Sequence, residues 1–342
     1  MLENMNTKRW IAFGVALLII GISALSTGLS NKINKEKRMK QMEETVKNSV
    51  GNLNENVLED GNKNERIAVV TVDGAIMNSP QSSMLGAGYD HKGTLKALDD
   101  ILEDDTIKGV LLKVNSPGGG VYESAELHKR FDAMKAHKKK LYVSMGNTAA
   151  SGGYYISAPA DKIYAAPSTL TGSIGVIMGG NNVSGLMDKL GVKDQAIKSA
   201  AHKDIGSSTR PMTDEERAIL QSVIDDMYGE FLQVVSKGRG IPVDQVRPLA
   251  DGSVFTGNQA KANGLVDEVG YEEDALAALK KDLKLDTPQV FEYSNDFGSA
   301  FLSNFFSSKF AAPPVTEEQV AAKLLLESFS GASRPMYLYG GI

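Results

Sequence analysis

Three short segments of the sequence carry residue types that together could perform nucleophilic acyl transfer. Ser151 stands in AASGG, at a predicted strand-to-helix turn where an exposed hydroxyl could act as a nucleophile. The segment NSPGGG at residues 115–120 would present backbone N–H groups at a helix N-terminus, and such groups bind anions, including a tetrahedral oxyanion. The segment KSAAHKD at residues 198–204 offers His202 and Lys203 as candidate general bases.

Each segment also has a purely structural interpretation. An isolated glycine triplet is typical of a tight turn, and no Lys-Ser/Thr pair follows it as in a P-loop. Ser151 could be a helix N-cap, since AASGG differs from the G-x-S-x-G nucleophile elbow. Charged neighbours such as His202 and Lys203 are usually solvated surface groups. A lysine acts as a base only when it is neutral, and burial favours the neutral form. A carboxylate beside the lysine would favour the charged form instead, so we expect the Asp204 side chain to point away from Lys203.

The composition excludes several other kinds of site and partner. The 342 residues carry a formal net charge of −5 and no cysteine, so the chain has no disulfide, thiolate metal site or cysteine nucleophile. Its His, Asp and Glu residues lack the spacing of metal ligands, and we predict neither a metal nor another cofactor. A mildly acidic chain without a basic patch is not expected to bind nucleic acid.

Strand and helix patterns alternate around the three segments. Buried strands are predicted at RIAVVTVDGAI and IKGVLLKVNS, and further strands at LYVSM, DKIYAAP, TGSIGVIM and KDQAIKS. Helices are predicted at KGTLKALDDILEDD, ESAELHKRFDAMKAHKKK and VSGLMDKLG, and the second places Leu127, Phe131 and Met134 on one face. This alternation predicts an α/β fold with right-handed crossovers.

The longest soluble helix pattern follows these elements. A capping box of Thr213 and Glu216 marks its start, and we place Gly238 just beyond its end.

The N-terminal part of the chain has a different character. No charged residue occurs from Trp10 to Asn31, a length that can span a bilayer as a helix. We interpret residues 10–30 as a retained single-pass anchor after a cytoplasmic N-terminus at 1–9. A cleaved signal peptide with its site near Ala24 is the alternative. Basic residues flank both ends, so charge alone does not settle the topology. Residues 31–64 are polar and are predicted to be a linker.

Taken together, VNSPGGGVYESAELH, SMGNTAASGGYYISAPADKI, TGSIGVI and IKSAAHKDIGSSTRPMTDEE resemble the signal peptide peptidase A family of membrane-bound serine proteases. The resemblance is to its short, single-catalytic-domain type from Gram-positive bacteria and covers roughly residues 66–285. It implies an α/β fold like that of Clp protease and crotonase, a superhelix of β-β-α units. We therefore assign residues 65–285 to the catalytic domain and 286–342 to a helical extension and tail.

The resemblance also implies roles for individual residues. The family's nucleophile falls on Ser151 and its general-base lysine on Lys203, with no catalytic histidine. The serine that orients the lysine falls on Ser173 in TGSIG, which could otherwise be a cap or a strand-end hydroxyl. The oxyanion-hole N–H falls on Gly119, helped by the amide of Gly152 after the nucleophile.

Further expectations about location, substrates and assembly follow from the same resemblance. The catalytic domain would lie outside the cytoplasmic membrane, held by the single anchor. The substrates would be apolar peptides such as remnant signal peptides. The protein would form a homo-octamer in which neighbouring protomers share the serine and lysine of each dyad.

GASRPMYLYGGI is extended and apolar, and it resembles a substrate, so self-binding or self-trimming of this tail is a hypothesis. One rival function is an acyl-CoA enzyme of the crotonase type, and another is a non-catalytic membrane scaffold. The Ser151 and Lys203 pair argues against both. A third alternative is a Ser-His protease that uses His202.

Overall fold

The structure is a computed structural model that describes residues 54–78, 89–294 and 334–340. Within these residues the strands are β1 Asn54–Glu59, β2 Asn62–Asp73, β3 Ile107–Ser116, β4 Gly118–Gly120, β5 Lys140–Ala150, β6 Lys162–Ala165, β7 Leu170–Gly172, β8 Val254–Thr256, β9 Glu268–Val269, β10 Pro288–Ser294 and β11 Met336–Leu338. The helices are α1 His91–Glu103, α2 Val121–Ala133, α3 Gly152–Ser157, α4 Ser184–Lys189, α5 Asp214–Arg239, α6 Val243–Val246, α7 Gly257–Ala262 and α8 Glu272–Leu283, with a 3-10 turn at Arg247–Leu249.

A central, mostly parallel sheet organises these elements. Its strand order is β1-β10-β2-β3-β5-β6-β9, and β7 and β8 branch from β5. The pairs from β10 to β9 are all parallel, whereas β1 pairs antiparallel with β10 and β8 pairs antiparallel with β7. Because both faces of a parallel sheet are covered by helices, its inner strands contain buried apolar runs, as in VLL of β3. The predicted α/β alternation is confirmed.

The core lies on both faces of this sheet. On one face the side chains of Leu127 and Phe131 of α2 and Phe231 of α5 are buried in one large cluster. On the other face Leu279 of α8 packs in a smaller cluster with Leu111 of β3. The strands direct alternate side chains to the two clusters, since successive residues of a strand point to opposite faces. The face predicted for α2 is confirmed, and Met134 directly after the helix is also buried.

The long helix α5 begins as predicted and ends later. The Thr213 hydroxyl accepts the Glu216 N–H, and the Glu216 carboxylate accepts the Thr213 N–H, so the capping box is present. The prediction that the helix ends before Gly238 is wrong, because Gly240 is the C-cap, with a φ of 65°. A Cβ at Gly238 would lie 2.2 Å from the Ala158 carbonyl oxygen. This glycine therefore allows close packing next to α3.

Two predicted strands differ from the structure. Residues 193–199, KDQAIKS, form no strand and pair with no strand of the described chain, and the Ile197 side chain is fully exposed. A strand needs a ladder partner, which an alternating sequence cannot supply by itself. TGSIGVIM contributes only its first residues to β7, because Gly172 and Ser173 both have positive φ and turn the chain out of the sheet.

Strands are also present in the predicted linker and beyond the predicted end of the catalytic domain. β1 and the start of β2 lie within residues 31–64, where the sequence predicted a linker. This polar segment is ordered by its pairing with β10, which lies beyond the predicted domain end at residue 285. The predicted anchor at residues 10–30 lies outside the described residues. Among those that are described, every helix is too short or too polar to cross a membrane.

Candidate active site

Ser151 lies at the turn from β5 to α3 in a strained backbone conformation. Its φ of 53° and ψ of −116° are rare for a residue with a side chain, and the residue is only 1% exposed. It occupies the N-cap position, yet its side chain makes no capping hydrogen bond within the described chain. The N-cap interpretation therefore does not explain the serine. A sharp strand-to-helix turn that holds a serine in this way is typical of a nucleophile.

The small residues around Ser151 let the turn pack tightly. A Cβ at Gly152 would lie 2.7 Å from the Ser124 hydroxyl oxygen and 3.1 Å from the Gly119 nitrogen. A Cβ at Gly153 would lie 2.7 Å from the Ser116 carbonyl oxygen. The two glycines after the serine are therefore needed to bring α3 against the glycine-rich strand β4.

Gly119 and Gly152 meet as the sequence predicted. Gly119 lies in β4, and the Gly152 amide begins α3 directly after Ser151. A Cβ at Gly118, whose φ is 97°, would lie 2.6 Å from the Gly152 nitrogen. On its other side β4 bonds Ile76, which donates its N–H to the Gly118 carbonyl and accepts the Gly120 N–H. The Gly119 peptide is left to face away from Ile76, so two backbone amides next to the serine can bind an oxyanion.

Ser173 lies beside Ser151. It directly follows Gly172, which is paired in parallel register with Ala150. Ser151 donates its N–H to the Gly172 carbonyl at 2.8 Å, and Ser173 donates its N–H to the Ser253 carbonyl at 2.8 Å. Ser173 has a φ of 49° and is 8% exposed. Both serines thus lie at the ends of adjacent parallel strands.

Lys203 is not brought to Ser151 within one chain. It lies in the loop between α4 and α5, with its N–H bonded to the Ala200 carbonyl. Within the described residues its exposed ammonium makes no hydrogen bond or ion pair, and the Ser151 hydroxyl makes no hydrogen bond either. A single chain therefore supplies the nucleophile, the two amides and Ser173 together, but not the predicted base.

The loop that carries Lys203 is tied to the start of α5 by Arg210. Its guanidinium bonds both oxygens of Asp204 at 2.9 Å and 2.7 Å and also bonds the Glu216 carboxylate. Asp204 accepts from Lys198 as well, so its carboxylate points away from Lys203 as expected. The hydrogen bonds from Arg210 and, as the second cause, from Lys198 hold the pKa of the Asp204 carboxyl well below its usual range. Arg210 and the Thr213 N–H lower the pKa of Glu216 to about 2.

His202 faces the same helix start rather than Ser151. Its Nε2 lies 3.5 Å from Glu215, and its Nδ1 lies 3.9 Å from the Glu216 carboxylate. The Nδ1 atom is buried, and no described group hydrogen-bonds to it. Within one chain, His202 is therefore no better placed than Lys203 to accept a proton from Ser151.

The C-terminal tail lies in the cleft beside Gly119. β11 pairs antiparallel with β4, with Tyr337 opposite Gly119. On its other side Met336 exchanges two backbone hydrogen bonds with Ile177, at 2.9 Å and 3.0 Å. The tail is thus an added strand between two segments of the domain, the way an extended peptide adds to a sheet edge. Residues 336–338 bind the chain's own cleft, as the self-binding hypothesis expects.

The carbonyl group of Tyr337 lies at the candidate oxyanion amides. A Cβ at Gly118 would lie 1.9 Å from the Tyr337 carbonyl oxygen as well as 2.6 Å from the Gly152 nitrogen. The Tyr337 peptide group therefore lies next to the Gly118 backbone and the Gly152 amide, beside the candidate nucleophile.

The Tyr337 side chain fills an aromatic pocket that the sequence analysis missed. Its ring lies 4.8 Å from that of Tyr155 and 4.6 Å from that of Phe231, and the His128 ring lies 5.1 Å from Tyr155. The residue is fully buried, its hydroxyl donates to the Met227 carbonyl at 3.2 Å, and burial raises its pKa. Burial also lowers the pKa of His128. Only the position of Tyr155 four residues after Ser151 could have indicated this pocket.

Among the described residues no group of three or more His, Cys, Asp or Glu side chains could hold an ion. The arrangement of a strained serine, paired amides and a peptide-binding cleft is that of a serine hydrolase acting on extended chains.

Comparisons with known proteins identify the family. Residues 133–286 match the model of peptidase family S49. A protein of Enterococcus faecium that is assigned as a signal peptide peptidase SppA is 42% identical over 344 residues, which span 99% of this chain and 100% of the relative. Protease 4 of Salmonella typhi is 38% identical over 64% of this chain and 35% of its own length. The chloroplastic serine protease SPPA of Arabidopsis thaliana is 30% identical over 64% of this chain and 32% of its own.

This chain therefore belongs to the SppA group of peptidase family S49. It is a serine protease of the signal peptide peptidase type.

Proposed function

We propose that this protein is a membrane-anchored endopeptidase that uses Ser151 and Lys203 as a catalytic dyad. Its substrates are apolar peptides, such as signal peptides that remain after their release from preproteins. The observation that carries the proposal is the placement of the Tyr337 carbonyl at the Gly118, Gly119 and Gly152 backbone beside Ser151. An extended apolar peptide in this position presents one carbonyl to the nucleophile and one aromatic side chain to a pocket.

The chemical steps follow from these groups. Neutral Lys203 accepts the Ser151 proton while the hydroxyl oxygen attacks the scissile carbonyl carbon. The Gly119 and Gly152 amides stabilise the oxyanion, a contribution of about 3 kcal/mol for each donor. The lysine ammonium then protonates the leaving amine, and the acyl-enzyme forms. A water molecule attacks the ester in the same way and releases the acid, while Ser173 orients the lysine amine.

We further propose that the lysine of each site comes from a neighbouring protomer of a homo-octamer. The separation of Lys203 from Ser151 within one chain supports this idea, as does the exposure of the loop that carries it. The anchor at residues 10–30 and an extracytoplasmic catalytic domain complete the proposal. The parallel β2, β3 and β5 with their intervening helices support a superhelix of β-β-α units like that of Clp protease and crotonase.

Mixing two inactive variants tests the shared site. Ser151→Ala and Lys203→Ala chains are co-assembled under conditions that allow subunit exchange, and peptide hydrolysis is measured. A mixed oligomer contains some sites with an intact serine and an intact lysine, so activity should return. Each variant assembled with itself is the matched control. Verified mixed oligomers that stay inactive would contradict a dyad shared between protomers.

Self-trimming of the tail is a separate proposal about the same site. The register predicts that the wild-type chain is cut after Tyr337, whereas Ser151→Ala keeps its full C-terminus. Intact mass spectrometry after long incubation measures the difference. Equal C-terminal masses for the two proteins would count against trimming.

A further inference from the structure

The bound tail defines positions along the substrate cleft. Tyr337 places its carbonyl at the oxyanion amides, and Arg334 stands three residues before it in the same extended segment. The Arg334 guanidinium lies 3.3 Å from the Glu123 carboxylate. The cleft thus holds an aromatic side chain at one position and a basic side chain three positions earlier.

The Glu123 carboxylate is fixed at the wall of this cleft. It lies in the first turn of α2, directly after β4, and its side chain is 8% exposed. A Cβ at Gly120 would lie 1.9 Å from its Oε2, so the glycine provides the space that the carboxylate occupies. Its Oε1 also accepts the Asn78 backbone N–H at 3.3 Å. The carboxylate is therefore held against the same strand that pairs with the peptide.

Arg334 is the cation that Glu123 pairs with in the described part of the chain. The nearby Arg130 of α2 instead forms an ion pair with Asp99 at 2.7 Å, and Glu126 pairs with His91. A carboxylate enclosed in this way is costly without a compensating charge. A peptide that brings a basic side chain to this position therefore binds better than one that brings a neutral side chain.

We propose that Glu123 is a specificity-determining residue that selects a basic side chain three positions before the residue whose carbonyl is attacked. This proposal rests on the proposed function and makes the substrate class more specific: an apolar peptide with a basic residue on the N-terminal side of its apolar stretch. Signal peptides have this order, since a positively charged region precedes their apolar region. Glu123 would then select the boundary between the two regions.

A competition between two peptides tests the proposal. One peptide copies SRPMYLYG of the tail, and the other has citrulline, a neutral residue of the same shape, in place of the arginine. Both are added to one tube with the full-length protein, and mass spectrometry follows the cleavage of each. Because both peptides compete with the same tail, the ratio of their kcat/KM values is independent of tail occupancy.

The expected ratio is about tenfold in favour of arginine, which corresponds to one charge-assisted hydrogen bond. Glu123→Gln keeps the shape of the side chain and should bring the ratio close to one. Asp132→Asn is the matched control, because it removes one negative charge from the same helix at its exposed ion pair with Lys237. The control should keep the wild-type ratio.

The outcomes separate the two proposals. A wild type that cleaves neither peptide contradicts the proposed function. Equal cleavage of both peptides by the wild type, or an unchanged ratio in Glu123→Gln, overturns the role of Glu123 while the protease function stands. If Asp132→Asn loses the preference for arginine as fully as Glu123→Gln does, the preference comes from the overall charge of the helix. Cleavage at a bond other than Tyr337–Leu338 would overturn the position proposed for the peptide in the cleft.

Discussion

Ser151 and Ser173 follow two residues, Ala150 and Gly172, that are paired in register on adjacent parallel strands. Both serines have positive φ, 53° and 49°, and the Ser151 N–H bonds the carbonyl of the residue before Ser173. Few non-glycine residues of the described chain share this backbone region, and two of them are the predicted nucleophile and the predicted lysine-orienting serine. Such conformations cost about 1–3 kcal/mol each and cluster at functional sites.

The hydroxyl of Ser173 is expected to support catalysis by positioning the lysine. Ser173→Ala should lower kcat by roughly 10- to 100-fold while KM changes little, because an incorrectly placed base slows the chemical step. Steady-state hydrolysis of a peptide measures both parameters. Ser173→Gly is the matched control for backbone strain, because glycine accepts positive φ. If the glycine variant keeps wild-type kcat, the hydroxyl is not needed.

The strained backbone at Ser151 predicts a gain of stability on substitution by glycine. Ser151→Gly should raise the free energy of unfolding by about 1 kcal/mol relative to Ser151→Ala, since glycine relieves the strain but loses more chain entropy. Both variants lack the hydroxyl, so only the backbone preference differs. Denaturant unfolding of the two proteins measures the difference. A glycine variant less stable than the alanine variant would contradict strain at this residue.

Arg210 should be required for activity although it does not contact Ser151 in the described chain. Arg210→Ala removes the links from Asp204 and Glu216 and frees the loop that carries Lys203. We expect kcat/KM to fall by about tenfold or more, because a mobile base is rarely in reach of the hydroxyl. Lys193→Ala in the same loop is the control, since its ion pair with Asp188 is exposed. Equal activity in both variants would show that the ion pairs of Arg210 are not needed.

The ion pair between Arg210 and Glu216 predicts a loss of stability at acidic pH. The pKa of Glu216 falls from its ordinary value of 4.5 to about 2 in the folded protein, so the unfolded chain takes up the proton first as pH falls. The stabilisation is therefore present above pH 4.5 and is lost as pH falls toward 2. Thermal unfolding is measured at a series of pH values. Over this window the unfolding temperature of Glu216→Gln should depend less on pH than that of the wild type. The exposed Glu215→Gln should behave like wild type, and an unchanged slope in Glu216→Gln would refute the assignment.

Much of the fold was predictable from local patterns. β3 matches its predicted segment residue for residue, and the capping box at Thr213 locates the start of α5, because apolar runs and caps act over a few neighbouring residues. The strand predicted at residues 193–199 was wrong, since that segment finds no ladder partner in the described chain.

The site was predictable only in part for a similar reason. The motifs predict roles for Ser151, Gly119 and Ser173, and the structure brings these three residues together. The aromatic pocket around Tyr337 was not visible, because Tyr155 and Phe231 look like ordinary core residues until the tail pairs with β4. Glu123 was hidden likewise, since its partner lies 211 positions away in the sequence.

The most direct test of the Ser-Lys dyad compares the hydrolysis of one apolar peptide by full-length wild type, Ser151→Ala, Lys203→Ala and His202→Ala, each checked for assembly. A Ser151–Lys203 dyad predicts a loss of at least about 10³-fold for the first two variants and activity near wild type for His202→Ala. An active Lys203→Ala beside an inactive His202→Ala would contradict the Ser-Lys dyad.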